Sequence, residues 1–132
     1  MSSRELPRVL IVDNDEHLLQ DLERVLEGEG FATSTCWSAK EALQALEQES
    51  FDVVLLDDFL SDMDAAGVLK EIQAMQRPVR VIVTQNGPCT PDEEQQYAAL
   101  GACAVVAKRP SGRVRELVRQ CWHAAGTRPA CS

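Results

Sequence analysis

The sequence predicts an α/β fold, a doubly wound five-stranded parallel sheet with helices on both faces. Short apolar runs alternate along the chain with stretches of helical periodicity, which is typical of βα units that build a parallel sheet. The runs are continuously apolar, as expected for strands that helices cover on both sides. Five such units fill the 132 residues, and this length fits one domain.

The first two units have recognisable boundaries. An apolar run at residues 9–12 precedes a predicted helix from about Asp15 to Glu27. The apolar stripe of this helix is formed by Leu18, Leu22, Val25 and Leu26. A short second strand at residues 31–36 follows. Ser38 and Glu41 then have the spacing of a capping box, which predicts the start of the second helix.

The other three units repeat this pattern. Their predicted strands are residues 53–57, 79–83 and 102–107. The loop after the third strand contains Asp62 and Asp64, which we expect to be solvated or to cap the helix that follows. Thr90 and Glu93 have capping-box spacing and predict the fourth helix. The last helix is predicted to start at Ser111.

Composition limits the function classes. The net charge of −8 disfavours nonspecific binding to nucleic acid, because that affinity comes largely from neutralised phosphates. No apolar run approaches the roughly 20 residues that span a bilayer, and the start of the chain lacks a signal-peptide core. We therefore expect a cytoplasmic protein without membrane insertion. The five cysteines lack Cys-x-x-Cys spacing, which favours free thiols over a zinc site.

Polar residues stand where four of the predicted strands end. Asp13 and Asn14 follow the first strand, Asp57 ends the third, Thr84 follows the fourth and Lys108 follows the fifth. The carboxyl ends of parallel strands share one edge of the sheet, where ligands bind in such folds. Taken singly, each residue is explained by a turn, a cap or solvation. Gathered together, they form a group that can hold a divalent cation and a phosphoryl group.

With these residues in register, the chain from residue 9 to about 122 resembles the receiver domain of two-component response regulators, the CheY-like family. The resemblance implies a flavodoxin-like sheet with strand order 2-1-3-4-5. It also implies that Asp57 accepts a phosphoryl group from a histidine kinase or phosphotransfer protein, assisted by Thr84 and Lys108. Phosphorylation would then switch the interactions with a downstream protein target in a phosphorelay. No catalysis is implied beyond self-phosphorylation and self-dephosphorylation on the aspartate.

The resemblance further implies a bound Mg²⁺ ion. Its ligands would be Asp13, Asn14, Asp57 and the backbone carbonyl of Phe59. Asn14 stands where the family usually has a second acidic residue, so we expect weakened magnesium binding. In the predicted organisation, residues 1–7 form an N-terminal leader, residues 8–124 the receiver domain and residues 125–132 a flexible tail.

Three further positions depart from the family pattern. Gln85 replaces a small residue and is expected to crowd the phosphoryl entrance. Val105 stands where many members have a switching aromatic residue, and Arg109 separates Lys108 from Pro110. These departures support an alternative, a degenerate receiver that acts as a phosphorylation-independent protein-binding module. A flavin- or nucleotide-binding enzyme of similar topology is disfavoured, because no glycine-rich phosphate loop follows the first strand.

Overall fold

The computed structural model describes residues 6–124, without the side chain of residue 124, and within this range strands and helices alternate strictly. The strands are β1 (Arg8–Val12), β2 (Ala32–Cys36), β3 (Val53–Asp57), β4 (Arg80–Gln85) and β5 (Ala102–Ala107). The helices are α1 (Glu16–Gly28), α2 (Ala39–Gln48), α3 (Ala65–Met75), α4 (Pro91–Ala99) and α5 (Ser111–Ala124). None of these helices has both the length and the apolarity needed to cross a membrane. Residues 1–5 of the predicted leader and the predicted tail, 125–132, lie outside the described residues.

The five strands form one parallel sheet in the order β2-β1-β3-β4-β5. This confirms the predicted doubly wound, flavodoxin-like topology. The interior strand β3 is buried at every residue, which explains why its sequence is continuously apolar up to its final aspartate. The edge strand β2 is only partly buried and has the more polar sequence Ala-Thr-Ser-Thr-Cys.

The sheet separates two apolar clusters. One lies under α2 and α3, with the half-buried Tyr97 and Leu100 from the α4 side packed against it. The other lies under α1 and α5. The predicted inward stripe of α1 is correct at three of its positions, but Leu19 is buried where Val25 is only half-buried. Helices therefore cover both faces of the sheet, as predicted.

The start of α2 differs from its prediction. Ser38 is the N-cap, and its hydroxyl accepts a hydrogen bond from the Glu41 N–H at 3.2 Å. The Glu41 carboxylate does not return to the N-cap backbone. It accepts instead from the Trp37 N–H, one residue earlier, at 2.9 Å. The predicted capping box is thus only half formed, whereas both halves of the box formed by Thr90 and Glu93 are present at α4.

The two aspartates of the β3–α3 loop have different roles. Asp64 caps the following helix, since its side chain accepts from the Gly67 N–H at 2.9 Å. Asp62 is exposed, as one predicted alternative had it, but it does not cap the following helix: its two oxygens accept from the Ala39 and Lys40 N–H groups at the start of α2, at 3.0 Å each. These N–H groups have no partner within their own helix. Their hydrogen bonds lower the pKa of Asp62.

The cysteines follow the sequence expectation only in part. Cys36, Cys89 and Cys121 are free thiols. For Cys103 the expectation was wrong, because this residue is disulfide-bonded. An odd cysteine count does not determine which residues pair, since pairing depends on distances that the sequence does not contain.

Candidate functional site

Four polar side chains predicted to share an edge of the sheet are buried at the carboxyl ends of its strands. Asp13 directly follows β1, Asp57 is the last residue of β3, and Lys108 directly follows β5. Thr84 lies in β4, paired in register with Asp57. Their exposed fractions are 1% for Asp13, 3% for Asp57, 3% for Thr84 and 6% for Lys108. Burial of charge is costly unless the groups are paired, so these residues must compensate one another.

The Lys108 ammonium joins the two carboxylates. Its Nζ lies 2.9 Å from Asp13 Oδ2 and 3.0 Å from Asp57 Oδ1. Both contacts are ion pairs between almost fully buried side chains, so solvent screens them weakly. The site consequently contains two anions and one cation, and it keeps an excess negative charge when both carboxylates are ionised.

This excess charge and the burial shift the pKa values of all three groups. Burial is the largest influence on Asp57 and raises its pKa, although Lys108 acts in the opposite direction. The pKa of Asp13 is raised for the same main reason, and the neighbouring Asp57 charge adds to the effect. For Lys108, burial favours a lower pKa, but the two carboxylates together outweigh it and raise the pKa. The lysine therefore stays charged at neutral pH.

The two oxygens of Asp13 have different partners. Asp13 Oδ1 accepts a hydrogen bond from the Asp15 N–H at 2.9 Å. Asp13 Oδ2 is buried and makes no hydrogen bond, so its contact with Lys108 is an ion pair rather than an aligned hydrogen bond. A buried carboxylate oxygen without a hydrogen bond, next to a second carboxylate, fits a divalent cation that prefers oxygen ligands.

The remaining predicted metal ligands are less strongly constrained. Asn14 is exposed, next to Asp13. The Phe59 N–H donates to Asp57 Oδ1 at 3.4 Å, which places this peptide beside the carboxylate, while the Phe59 side chain is 70% exposed. Among residues 6–124, no group of three or more histidine, cysteine, aspartate or glutamate side chains could hold a metal ion. Cation binding would therefore depend on two carboxylates together with neutral oxygens.

Asp15 is engaged elsewhere. It is the N-cap of α1, and its side chain accepts from the His17 and Leu18 N–H groups. An aspartate at this position satisfies N–H groups at the positive end of the helix. Its other oxygen lies 4.0 Å from Arg109 Nη2. Because the Asp15 carboxylate caps α1, it is not free to supply the negative charge that the neutral Asn14 lacks at the metal site.

Backbone hydrogen bonds connect the strand ends that carry the site. The Asp58 N–H donates to the Thr84 carbonyl at 2.9 Å, and the Lys108 N–H donates to the Gln85 carbonyl at 2.8 Å. The peptide between Arg109 and Pro110 is cis. Lys108 reaches both carboxylates with Arg109 inserted before the proline.

The structure assigns Gln85 contacts that the sequence did not suggest. Gln85 is only 5% exposed, and its Nε2 donates to the Pro88 carbonyl at 3.0 Å in the β4–α4 loop. The prediction that Gln85 crowds the phosphoryl entrance did not include this hydrogen bond to the loop. In the sequence, the one sign of a special role for Gln85 was its position as a polar residue at the end of an apolar run. Val105 is half-buried and packs against the cluster under α2 and α3.

Comparison with known proteins agrees with this arrangement. The response regulator receiver domain family matches residues 9–119. The chain belongs to this family. It is a receiver domain homologous to two-component response regulators, a family whose members generally bind Mg²⁺ at an acidic pocket and interact with histidine kinases.

Its curated relatives include longer regulators. The transcriptional activator protein PfeR of Pseudomonas aeruginosa is 34% identical over 81 residues, which are 61% of this chain and 27% of PfeR. The transcriptional regulatory protein PrrA of Mycobacterium tuberculosis is 36% identical over 77 residues, which are 58% of this chain and 33% of PrrA. The chain thus matches a third or less of the length of these relatives.

Solved structures share the fold over most of both chains. The signal receiver domain of a putative Luxo repressor protein from Vibrio parahaemolyticus has a TM-score of 0.86 and 23% identity, covering 92% of this chain and 94% of that one. A CheY-like response regulator receiver domain protein from Methanospirillum hungatei has a TM-score of 0.77 and 26% identity, covering 88% and 94%. At 23% identity, the similarity to the Vibrio structure is evidence for the fold alone.

Proposed function

We propose that this receiver domain accepts a phosphoryl group on Asp57 from a histidine kinase or phosphotransfer protein. Phosphorylation then switches its interaction with a downstream protein target in a phosphorelay. The observation that carries the proposal is the pair of contacts from Lys108 Nζ to Asp13 and Asp57. They supply, at one strand edge, a nucleophilic carboxylate, a second anion for a cation and a fixed positive charge.

The proposed transfer is a nucleophilic displacement at phosphorus, with the Asp57 carboxylate as the nucleophile. A carboxylate oxygen of Asp57 attacks the phosphorus of a phosphohistidine, forming a P–O bond while the P–N bond breaks. The histidine nitrogen leaves with the bonding electron pair. Lys108 provides a positive charge for the phosphoryl oxygens, and the Thr84 hydroxyl is the neighbouring hydrogen-bond donor. Positioning and electrostatic stabilisation supply most of the catalysis in such reactions.

Magnesium is the cofactor that this donor set fits. Asp13, Asp57, the Asn14 amide oxygen and the Phe59 carbonyl are all hard oxygen ligands. When bound, Mg²⁺ neutralises the charge that develops on the transferred group and reduces repulsion between the two anions. Asp13 Oδ2 is buried without an aligned hydrogen bond, so it could take a metal ion in addition to its ion pair with Lys108. With Asn14 neutral, we infer weaker binding than an acidic residue would provide.

The other functional assignments follow from this proposal. We infer that residues 8–124 are the receiver domain, that the protein is cytoplasmic, and that its chemistry is limited to gain and loss of the phosphoryl group on Asp57. Its partners would be the phosphoryl donor and a protein target. The net charge of −8 disfavours direct contact between this domain and nucleic acid.

A second candidate function is a receiver that binds its partner without phosphorylation. It is favoured by the lack, within the described part of the chain, of a third acidic side chain able to complete a metal group. In this case Asp57 would serve only to hold Lys108 in place.

Intact-mass measurement separates the two functions. The protein is incubated with acetyl phosphate or phosphoramidate and Mg²⁺, and a mass gain of one phosphoryl group is expected. Asp57→Asn should abolish the gain, because the nucleophile is lost. Asp58→Asn, which removes the adjacent carboxylate, is the matched control and should keep it.

Two results would overturn the phosphorylation proposal. One is no mass gain in the unmodified protein together with no heat of Mg²⁺ binding in a titration, which favours the phosphorylation-independent module. The other is a gain that survives in Asp57→Asn and disappears in Asp58→Asn, which would move the acceptor by one residue.

A further inference from the structure

Gln85 connects the candidate site to the loop that leads into α4. It ends β4, directly after Thr84, and it is 5% exposed. Its backbone carbonyl accepts from the Lys108 N–H at 2.8 Å. Its side-chain Nε2 donates to the Pro88 carbonyl at 3.0 Å. One residue therefore bonds both to the backbone of the site lysine and to the β4–α4 loop.

The same amide lies beside the cap of α4. Thr90 and Glu93 form the capping box there, with the Thr90 N–H donating to the Glu93 carboxylate at 3.1 Å and the Glu93 N–H donating to the Thr90 hydroxyl at 3.2 Å. The Thr90 N–H is the main cause of the lowered pKa of Glu93, and the Gln85 amide adds to it. Gln85 thus bonds the loop that leads directly into this capping box.

Helix α4 packs against the edge strand β5, but only shallowly. It has nine residues, and none of them is buried. A helix of this length is marginal in water without tertiary packing. The half-buried Tyr97 and Leu100 anchor its end to the cluster under α2 and α3. At its beginning, the buried amide of Gln85 bonds the loop to the end of β4, and a buried amide is costly to leave without its partner.

We propose that Gln85 is a positioning residue that holds the loop at residues 86–90 and the start of α4 in the arrangement of the unphosphorylated protein. Releasing this hold makes Asp57 easier to phosphorylate. To contact a phosphoryl group, Lys108 must leave at least part of its present ion pairing, and its backbone is bonded to Gln85. A bond that favours one arrangement opposes any rearrangement that breaks it.

The first arm of the test requires no phosphorylation. Gln85→Met preserves the approximate size of the side chain but removes its donor, while Gln85→Glu replaces the donor with an acceptor beside Pro88 and Glu93. Amide hydrogen exchange at residues 86–95 should become about two- to tenfold faster in Gln85→Met, as expected for one lost hydrogen bond, and faster still in Gln85→Glu. Gln95→Met, the same change at an exposed position of α4, should leave it unaltered.

The second arm rests on the proposed function. The rate at which acetyl phosphate and Mg²⁺ add a phosphoryl group should rise about two- to tenfold in Gln85→Met and remain at the wild-type value in Gln95→Met. A protein that is only destabilised would show faster exchange in α1 and α2 as well, with no gain in rate. Unchanged exchange at 86–95 in both Gln85 variants overturns the proposal, as does faster exchange with an unchanged or lower phosphorylation rate.

The two proposals fail in different ways. If the wild-type protein gains no phosphoryl group, the proposed function fails, and the exchange arm alone decides whether Gln85 holds the loop. If the wild type gains one but exchange in the Gln85 variants equals that of Gln95→Met, the acceptor assignment stands and the role of Gln85 is refuted.

Discussion

Lys108→Met tests the charge balance of the site most directly. The substitution keeps a long unbranched side chain but removes the ammonium that lies 2.9 Å from Asp13 and 3.0 Å from Asp57. Each contact at this distance corresponds to about 5.5 kcal/mol of Coulomb attraction at an effective dielectric constant near 20. Release of the lysine from its desolvation cost offsets part of this, because burial opposes its charged form.

The expected net result is a loss of about 3–5 kcal/mol in the free energy of unfolding at pH 7, as found when one partner of a buried ion pair is removed. The loss should shrink as the pH falls. Asp13 and Asp57 already have pKa values above their usual range, and without Lys108 the folded protein would bind protons still more readily than the unfolded chain. Stability of the variant therefore rises as the pH falls through these folded pKa values.

Urea unfolding followed by far-UV circular dichroism measures the effect, at neutral pH and at several lower values. The double variant Asp57→Asn/Lys108→Met is the matched control, since it leaves only one carboxylate and should recover a large part of the loss. Equal stability of Lys108→Met and wild type at pH 7, or a deficit that does not change with pH, would refute the electrostatic account. A deficit shared equally by the double variant would point to packing instead.

Three further predictions concern other charges. Asp57→Asn should raise the free energy of unfolding by about 1–2 kcal/mol at pH 7, because the Lys108 ammonium is then balanced by a single carboxylate. The gain, measured as the urea midpoint, should fade as the pH falls through the raised pKa of Asp57. Asn14→Asp should tighten Mg²⁺ binding at least tenfold by calorimetry. An added unit charge about 4 Å from a divalent ion contributes roughly 8 kcal/mol at an effective dielectric constant near 20, and desolvation of the new carboxylate offsets much of it. Unchanged affinity would place Asn14 outside the metal site. Asp62→Ala should cost about 1 kcal/mol by leaving the Ala39 and Lys40 N–H groups of α2 without their carboxylate acceptor. The loss should be largest above pH 4, because the pKa of Asp62 is lowered, and no change in urea midpoint would contradict this.

The fold could be predicted because its main signal is local. The apolar run at residues 53–57 predicts a strand covered on both sides, and β3 is buried throughout. Parallel strands end at one edge of the sheet, so the neighbourhood of Asp57 and Thr84 followed from strand direction alone. The family resemblance supplied the order of the strands, which spacing along the chain does not determine.

Contacts between distant side chains were harder to predict. The bonds from Asp62 to the start of α2 cross 22 and 23 residues of sequence, and nothing near Asp62 identifies its partners. The side chain of Gln85 bonds a carbonyl of an irregular loop, whose path is not encoded by periodicity. The simultaneous contact of Lys108 with two carboxylates depends on the course of a flexible side chain. In each case the local pattern is compatible with several partners, and tertiary geometry selects one.

The division of the apolar interior by the sheet has a consequence for how this domain tolerates change. Leu22 of α1 and Leu69 of α3 belong to separate clusters. Substitutions on opposite sides of the sheet should therefore combine additively, as independent sites do. A replacement that loosens the packing of one layer should leave the opposite layer intact, so each layer of this small domain can be redesigned without repacking the other.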